Sequence, residues 1–172
     1  MHFYQLILFL CIAIIVRKDE VAAISSESES TSVVVSALDF SLFNETEYAD
    51  RIVAVINRGD CHVLHDMVFS GIDVNVESSL EVVPLLVAAY NIHLECIKVL
   101  VEAAADIDIT EGDGWTPLMF VAHAGSFEAT QYLIEQGADP FMWNIDEFTA
   151  FEIAHSSGHM KVCSVFALMA NA

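Results

Sequence analysis

The chain reads as an all-α solenoid of helix-turn-helix units joined by hairpin loops, and three observations carry that reading. The stretch 113–139, DGWTPLMFVAHAGSFEATQYLIEQGAD, spells turn, helix, turn, helix. Its landmarks recur at a fixed step of 33 residues: Asp113 as Asp146, Thr116 as Thr149 and Gly125 as Gly158. Each helix is too short to bury its apolar face alone, so the units must stack on copies of themselves.

Within that stretch every element has a local cause. Asp113-Gly114 is a turn pair, and Thr116 offers a side-chain cap to a helix that opens with Pro117, where a missing N–H costs nothing. Leu118, Val121 and Ala122 share one helical face until Gly125 supplies a left-handed stop. Phe127, Thr130, Leu133 and Ile134 then mark a second helix, closed by Gly137. One step back, Pro84, Leu85, Ala89 and Asp106 take the places of Pro117, Leu118, Ala122 and Asp139; two steps back, Gly59, Gly71 and Asp73 keep the register.

Gly-x-Thr-Pro-Leu at 114–118 and Gly-Ala-Asp at 137–139 resemble the ankyrin repeat. The resemblance covers residues 45–172 as four repeats, 45–77, 78–110, 111–143 and 144–172. The first has lost Thr-Pro-Leu, as a capping repeat with one face in water can. Ile52, Val53, Val55 and Ile56 feed its one side and Val63, Leu64, Met67 and Val68 the other. In the second, Val83 stands for the capping Thr, Ala104 for a Gly, and Ile92 for the glycine between the helices, where a β-branched residue tolerates positive φ poorly. The fourth ends in an apolar helix, and Val162, Val165, Phe166, Leu168 and Met169 are expected to expose an apolar strip. The family's usual His after Thr-Pro-Leu is Leu86, Met119 and Glu152 here, and the resemblance therefore implies that a hydrogen-bond network between repeats is absent and that packing carries more of the interface.

Ahead of the repeats the sequence changes character. Leu6 to Val16, LILFLCIAIIV, has the length of a signal-peptide core and falls short of the about 20 residues a bilayer requires. Val21-Ala22-Ala23 offers cleavage after Ala23. The leading MHFYQ carries no Lys or Arg, and Arg17-Lys18 follow the apolar run, which keeps an uncleaved membrane anchor as the alternative for residues 1–23. Residues 24–44 form a Ser/Glu-rich linker, SSESESTS at 25–32, and an N-terminal cap. Asn44-Glu45-Thr46 is a glycosylation sequon, meaningful at Asn44 only on export.

Charge and reactive side chains then narrow the function. A net charge of −19, from 25 acids against 6 basic residues, repels phosphate backbones and argues against nucleic acid. It suits a soluble, self-repelling surface or a protein partner with a basic surface. Asp106-x-Asp108-x-Thr110 starts like a calcium loop, but Glu111 stands at the sixth place and Pro117 at the twelfth, so turn caps are expected instead. Cys61-His62-x-x-His65 offers three donors with no fourth nearby. Helix packing sets successive repeats about 10 Å apart, beyond disulfide reach, so Cys61, Cys96 and Cys163 are expected as reduced thiols. No phosphate loop, catalytic constellation or cofactor motif is present in the sequence, and the expectation is a non-enzyme without cofactor.

What remains is a surface. In ankyrin proteins partners are held by the hairpin fingers and the exposed side of each first helix, and by position this resemblance implies Glu77, Val82, Tyr90 and Asn91, then Thr110, Asp113, Trp115 and His123, and finally Trp143, Asp146 and Phe148. Trp115, Trp143 and Phe148 are expected to line one groove with an acidic rim, the mixture protein interfaces favour. The expected function is a non-catalytic protein-binding module, secreted if the leader is cleaved. Two readings compete with it: a membrane-anchored assembly factor, and a degenerate repeat fragment without a selected partner.

Overall fold

A computed structural model of the chain describes residues 45–169 apart from residue 70, and the predicted leader, linker and Asn44 sequon lie outside the described residues. Among the described residues are eight helices and no strand: α1 Glu45–Arg58, α2 Cys61–Phe69, α3 Pro84–Tyr90, α4 Leu94–Glu102, α5 Pro117–His123, α6 Phe127–Glu135, α7 Ala150–Ser156 and α8 Met160–Met169. They pair as α1–α2, α3–α4, α5–α6 and α7–α8. The first helices of the pairs stack side by side as one layer, and the second helices stack as another. A continuous apolar core runs between the layers, with Ile52, Ile56, Leu85, Leu118 and Leu133 fully buried.

The same local solutions repeat at the 33-residue step. Each finger is a tight turn closed by a backbone N–H across four residues: Ser78 to Val82, Glu111 to Trp115 and Asn144 to Phe148. The third turn residue has positive φ in all three, at Glu81, Gly114 and Glu147. Only Gly114 adopts it without Cβ strain, and it also sits where a Cβ would press to 3.2 Å from the Asn144 Cα of the next finger.

Helix starts vary more than helix positions. Thr116 caps α5 by accepting from the Met119 N–H, and Thr149 forms a reciprocal capping box with Glu152 on α7. Hydrogen bonds from the Thr149 backbone N–H and hydroxyl hold the Glu152 carboxyl below its usual pKa. Val83 begins α3 with no side-chain cap, and Pro84 at the first turn removes one of the donors that a cap would have served.

Ile92 does keep the strained geometry that glycine would relieve, with φ of 59° between α3 and α4. The neighbouring units have glycine there. Gly125 lies beneath the His159 ring, so close that a Cβ would come within 2.5 Å of Nδ1, and Gly59 lies beneath the His93 ring at 3.4 Å. At the matching register Ile92 is followed by Ser126 rather than histidine. Gly59 and Gly125 thus each lie under a histidine ring of the next repeat, whereas exposed Ile92 has Ser126 at the corresponding position.

Two expectations are corrected here and one is refined. Hydrogen bonds still tie one repeat to the next, although the family's histidine network is absent. Asp50 accepts from Ser79, Asn57 from Asn91, and Asn75 both donates to the Ala104 carbonyl and accepts from the Asp106 N–H. Asp108 repeats the Asn75 role one step on, accepting from the Asp139 N–H at 2.9 Å, so these Asp residues do cap turns. The ties come from loops and helix ends rather than from the position of the missing histidines, where Leu86 and Met119 are buried in the core. The predicted apolar strip on α8 is also mostly covered: Val162, Val165 and Phe166 are buried because α8 packs against both α6 and α7. The side chains of Leu168 and Met169 lie outside the described residues.

The second correction concerns the cysteines. Cys61 and Cys96 form a disulfide with a Cα–Cα distance of 4.8 Å, joining α2 to α4. The expectation of reduced thiols took the spacing between helix axes for the spacing between residues. A helix backbone is a cylinder of about 2.3 Å radius, so facing Cα atoms on axes about 10 Å apart approach to roughly 5 Å. Cys163 is a free, buried thiol, as expected.

Candidate functional site

The predicted surface residues fall into three environments. Glu77, Thr110, Asp113, Trp143, Asp146 and Phe148 are exposed on the fingers and connecting loops. Tyr90, Asn91 and Trp115 are half-buried, and His123 is exposed at the end of α5. Val82 departs from the prediction. It is buried in the core, because its N–H and C=O close the turn onto Ser78 and aim its side chain at the helices behind.

Val82, Trp115 and Phe148 occupy the same position on successive fingers, and their exposure rises along the array, to 47% at Phe148. The finger at 111–115 has the next finger stacked against it: the Asp113 carbonyl accepts from the Ile145 N–H. Among the described residues nothing stacks on the last finger, which leaves Phe141, Trp143, Ile145 and Phe148 as a run of exposed apolar side chains, Trp143 at 64%. Asp139, Asp146 and Glu147 are exposed within that same run.

Asn144 holds this finger in shape. It is a buried polar residue whose Oδ1 accepts from the N–H groups of both Asp146 and Phe148, at 3.1 and 2.9 Å. Sequence reasoning passed over it, although its place two repeat steps after Ser78, whose Oγ accepts from the Val82 N–H, is a legible signal.

A second cluster joins the middle repeats. Phe120, on α5, packs edge-on against Tyr90 at 5.9 Å between ring centroids and lies 5.1 Å from Trp115, which also meets His123 at 5.7 Å. Phe120 was missed because its position in the helix reads as core, and it is indeed buried. The cluster brings together Tyr90, Trp115 and His123 as predicted residues of one surface. Trp115 serves partly as the cover of the core there, rather than as a free anchor. His123 is further fixed at both ends of its residue: Nδ1 lies 3.2 Å from Ser157 Oγ, and its carbonyl accepts from His159 Nε2. Asn91 is likewise tied across repeats to Asn57.

A cavity of about 620 Å³ opens at the other end of the first two pairs, lined by Gly59, Cys61, His62, His65, His93 and Glu95 among others. No group of three or more metal-ligating side chains with suitable geometry occurs among the described residues.

The family model described as "Ankyrin repeats (3 copies)" matches residues 52–142 and again 85–171. The chain belongs to the ankyrin repeat family. Mouse ankyrin repeat and SAM domain-containing protein 6 is 37% identical over 81 residues, 46% of this chain and 9% of that protein. Mouse protein phosphatase 1 regulatory subunit 12A is 40% identical over 70 residues, 41% of this chain and 7% of that protein. Human ankyrin repeat and SOCS box protein 3 is 30% identical over 108 residues, 59% of this chain and 21% of that protein. The chain thus spans a small part of each of these relatives. Ankyrin repeats are protein–protein interaction modules, and that coarse function comes to this chain with the family.

Proposed function

We propose that the chain is a non-catalytic binding module whose principal contact is the last finger, and that it takes a protein segment with an apolar anchor flanked by Lys or Arg. The observation that carries the reading is the exposed run Phe141, Trp143, Ile145 and Phe148 interspersed with Asp139, Asp146 and Glu147. Large exposed apolar side chains inside a charged rim are the pattern of interface centres. The cluster of half-buried Tyr90 and Trp115 with exposed His123 extends the contact along the first helices.

The reading is tested with a displayed library of random peptides selected on the full chain. Enrichment of peptides with aromatic or aliphatic residues next to basic ones, lost at least tenfold on Trp143→Ala with Phe148→Ala while the circular dichroism is unchanged, is the expected result. Selection of acidic peptides, or binding indifferent to both substitutions, sinks it. Trp115 is a poorer probe because truncating it also uncovers core.

The same proposal places the chain in an oxidising, exported compartment. A disulfide between α2 and α4 supports that location, since such bonds persist outside the reducing cytosol. Sequencing the mature amino terminus decides it: Ile24 as first residue accords with export, and Met1 with an uncleaved anchor.

A further inference from the structure

The pair α1–α2 differs from α3–α4 and α5–α6 in one respect that matters for stability: among the described residues it packs against a neighbour on one side only. In a stacked array the stability of a unit is the sum of its own and its nearest-neighbour terms, so among the described residues α1–α2, like α7–α8, has fewer interface terms than the two middle pairs. Hydrogen bonds that tie the first repeat to the next include Asp50 with Ser79, Asn57 with Asn91, and Asn75 with Ala104 and Asp106, and these are exposed or only part-buried, in competition with water. Beside the apolar packing of Ile52 and Ile56 against α3, the Cys61–Cys96 disulfide is the covalent tie.

The two sulfurs of that bond are placed unequally. Cys96 is fully buried, whereas Cys61 is partly exposed and lines the open cavity beside His62, His65 and His93. A thiolate entering the cavity therefore meets the Cys61 end. We infer that the Cys61–Cys96 disulfide is a reducible clamp, cleaved from the cavity side by a small thiol such as glutathione, whose opening releases α1–α2 while the later repeats stay folded.

The exchange balances without a further component. The glutathione thiolate attacks Cys61 Sγ, forms a mixed disulfide and expels the Cys96 thiolate. A second glutathione thiolate attacks the glutathione sulfur of that mixed disulfide, expels the Cys61 thiolate and leaves as oxidised glutathione. Two electrons pass to the protein, and each cysteine thiolate takes a proton from water according to its pKa. Release of α1 separates Ile52 and Ile56 from a buried cluster that also contains Leu85 and Leu86 of α3, so reduction exposes an apolar face that is covered in the oxidised chain. A chain made under oxidising conditions and later exposed to cytosolic glutathione would lose its first repeat's packing in this way.

Hydrogen exchange read by mass spectrometry on the full chain tests the clamp, with oxidation first verified by a Cys61–Cys96 linked peptide in a non-reducing digest. In millimolar reduced glutathione, exchange in α1 and α2 is expected to accelerate by roughly a hundredfold or more, with α5 and α6 unchanged, the scale set by losing a cross-link over 35 residues. Cys61→Ala with Cys96→Ala should show the fast pattern without reductant, and Cys163→Ala should respond to glutathione as the parent does. Absence of the linked peptide, equal protection of α1–α2 in both redox states, or simultaneous opening of all four pairs would overturn the clamp.

Discussion

The second and third repeats adopt one backbone with different residues. The third has Thr116 at the cap, Gly125 between its helices and Gly137 after them; the second has Val83, Ile92 and Ala104 at the same places. Positive φ is retained at every one of the loop positions, 59° at Ile92 against 76° at Gly125, and 63° at Ala104 against 97° at Gly137. Neighbouring repeats impose the turn, and the local residue either suits it or carries strain. In a stacked array the register is collective, so a unit can lose its signature without losing its shape.

The largest expected effect tests whether the two cores are equivalent. Leu85→Ala and Leu118→Ala each delete a fully buried side chain at the same repeat position, and each should cost about 2–5 kcal/mol in chemical denaturation. A loss at Leu85 below half of that at Leu118 would mean that the second repeat is looser than its backbone implies.

Next comes the histidine ring that lies over glycine in the neighbouring repeat. Gly125→Ala must adopt positive φ and displace the His159 ring, at a cost of roughly 2 kcal/mol or more in the same assay. Ser126→His should also destabilise, because the ring enters the space behind Ile92. Combined with Ile92→Gly it should turn stabilising, so a double-mutant cycle should show coupling well beyond additivity. Additive behaviour would show that the Ile92/Ser126 pairing is incidental.

A smaller pair isolates backbone strain. Nothing lies within 4 Å of a Cβ at Gly137, so Gly137→Ala should lower stability by about 1 kcal/mol through φ alone. Ala104→Gly should raise it by a similar amount, read as opposite shifts in calorimetric Tm.

The smallest effect is electrostatic and belongs to the fourth repeat, which keeps the Thr cap that the second lacks. The folded pKa of Glu152 is depressed, so its capping box contributes fully above the unfolded value of about 4.5 and fades as pH falls through the lower folded value. Glu152→Gln should therefore lower Tm slightly at neutral pH, and the difference should vanish in strong acid. A difference that persists there would assign the effect to shape rather than charge.

How much of this was legible can be traced residue by residue. Pro84, Thr116, Pro117 and Thr149 placed the helix starts, and the 33-residue step placed the finger residues, because caps and turns are decided within a few residues of chain. Val82 was misjudged as surface because its burial follows from a turn bond to Ser78 and from the helices behind it. Asn144 was passed over for the same kind of reason, since its two accepted bonds depend on how the finger closes.

The sequence by itself determined the class, the step and the position of every helix pair, all of which rest on short-range patterns of capping, glycine and apolar spacing. Only the tertiary structure decided that Cys61 meets Cys96, that Asn75 and Asp108 tie adjacent loops, that Val162, Val165 and Phe166 of α8 turn inward and that, among the described residues, the last finger stands uncovered. Those facts depend on distances between residues 30 or more positions apart in the chain, or on which neighbour a surface meets. Periodicity gives the order of repeats but not the ångström separation of their facing atoms.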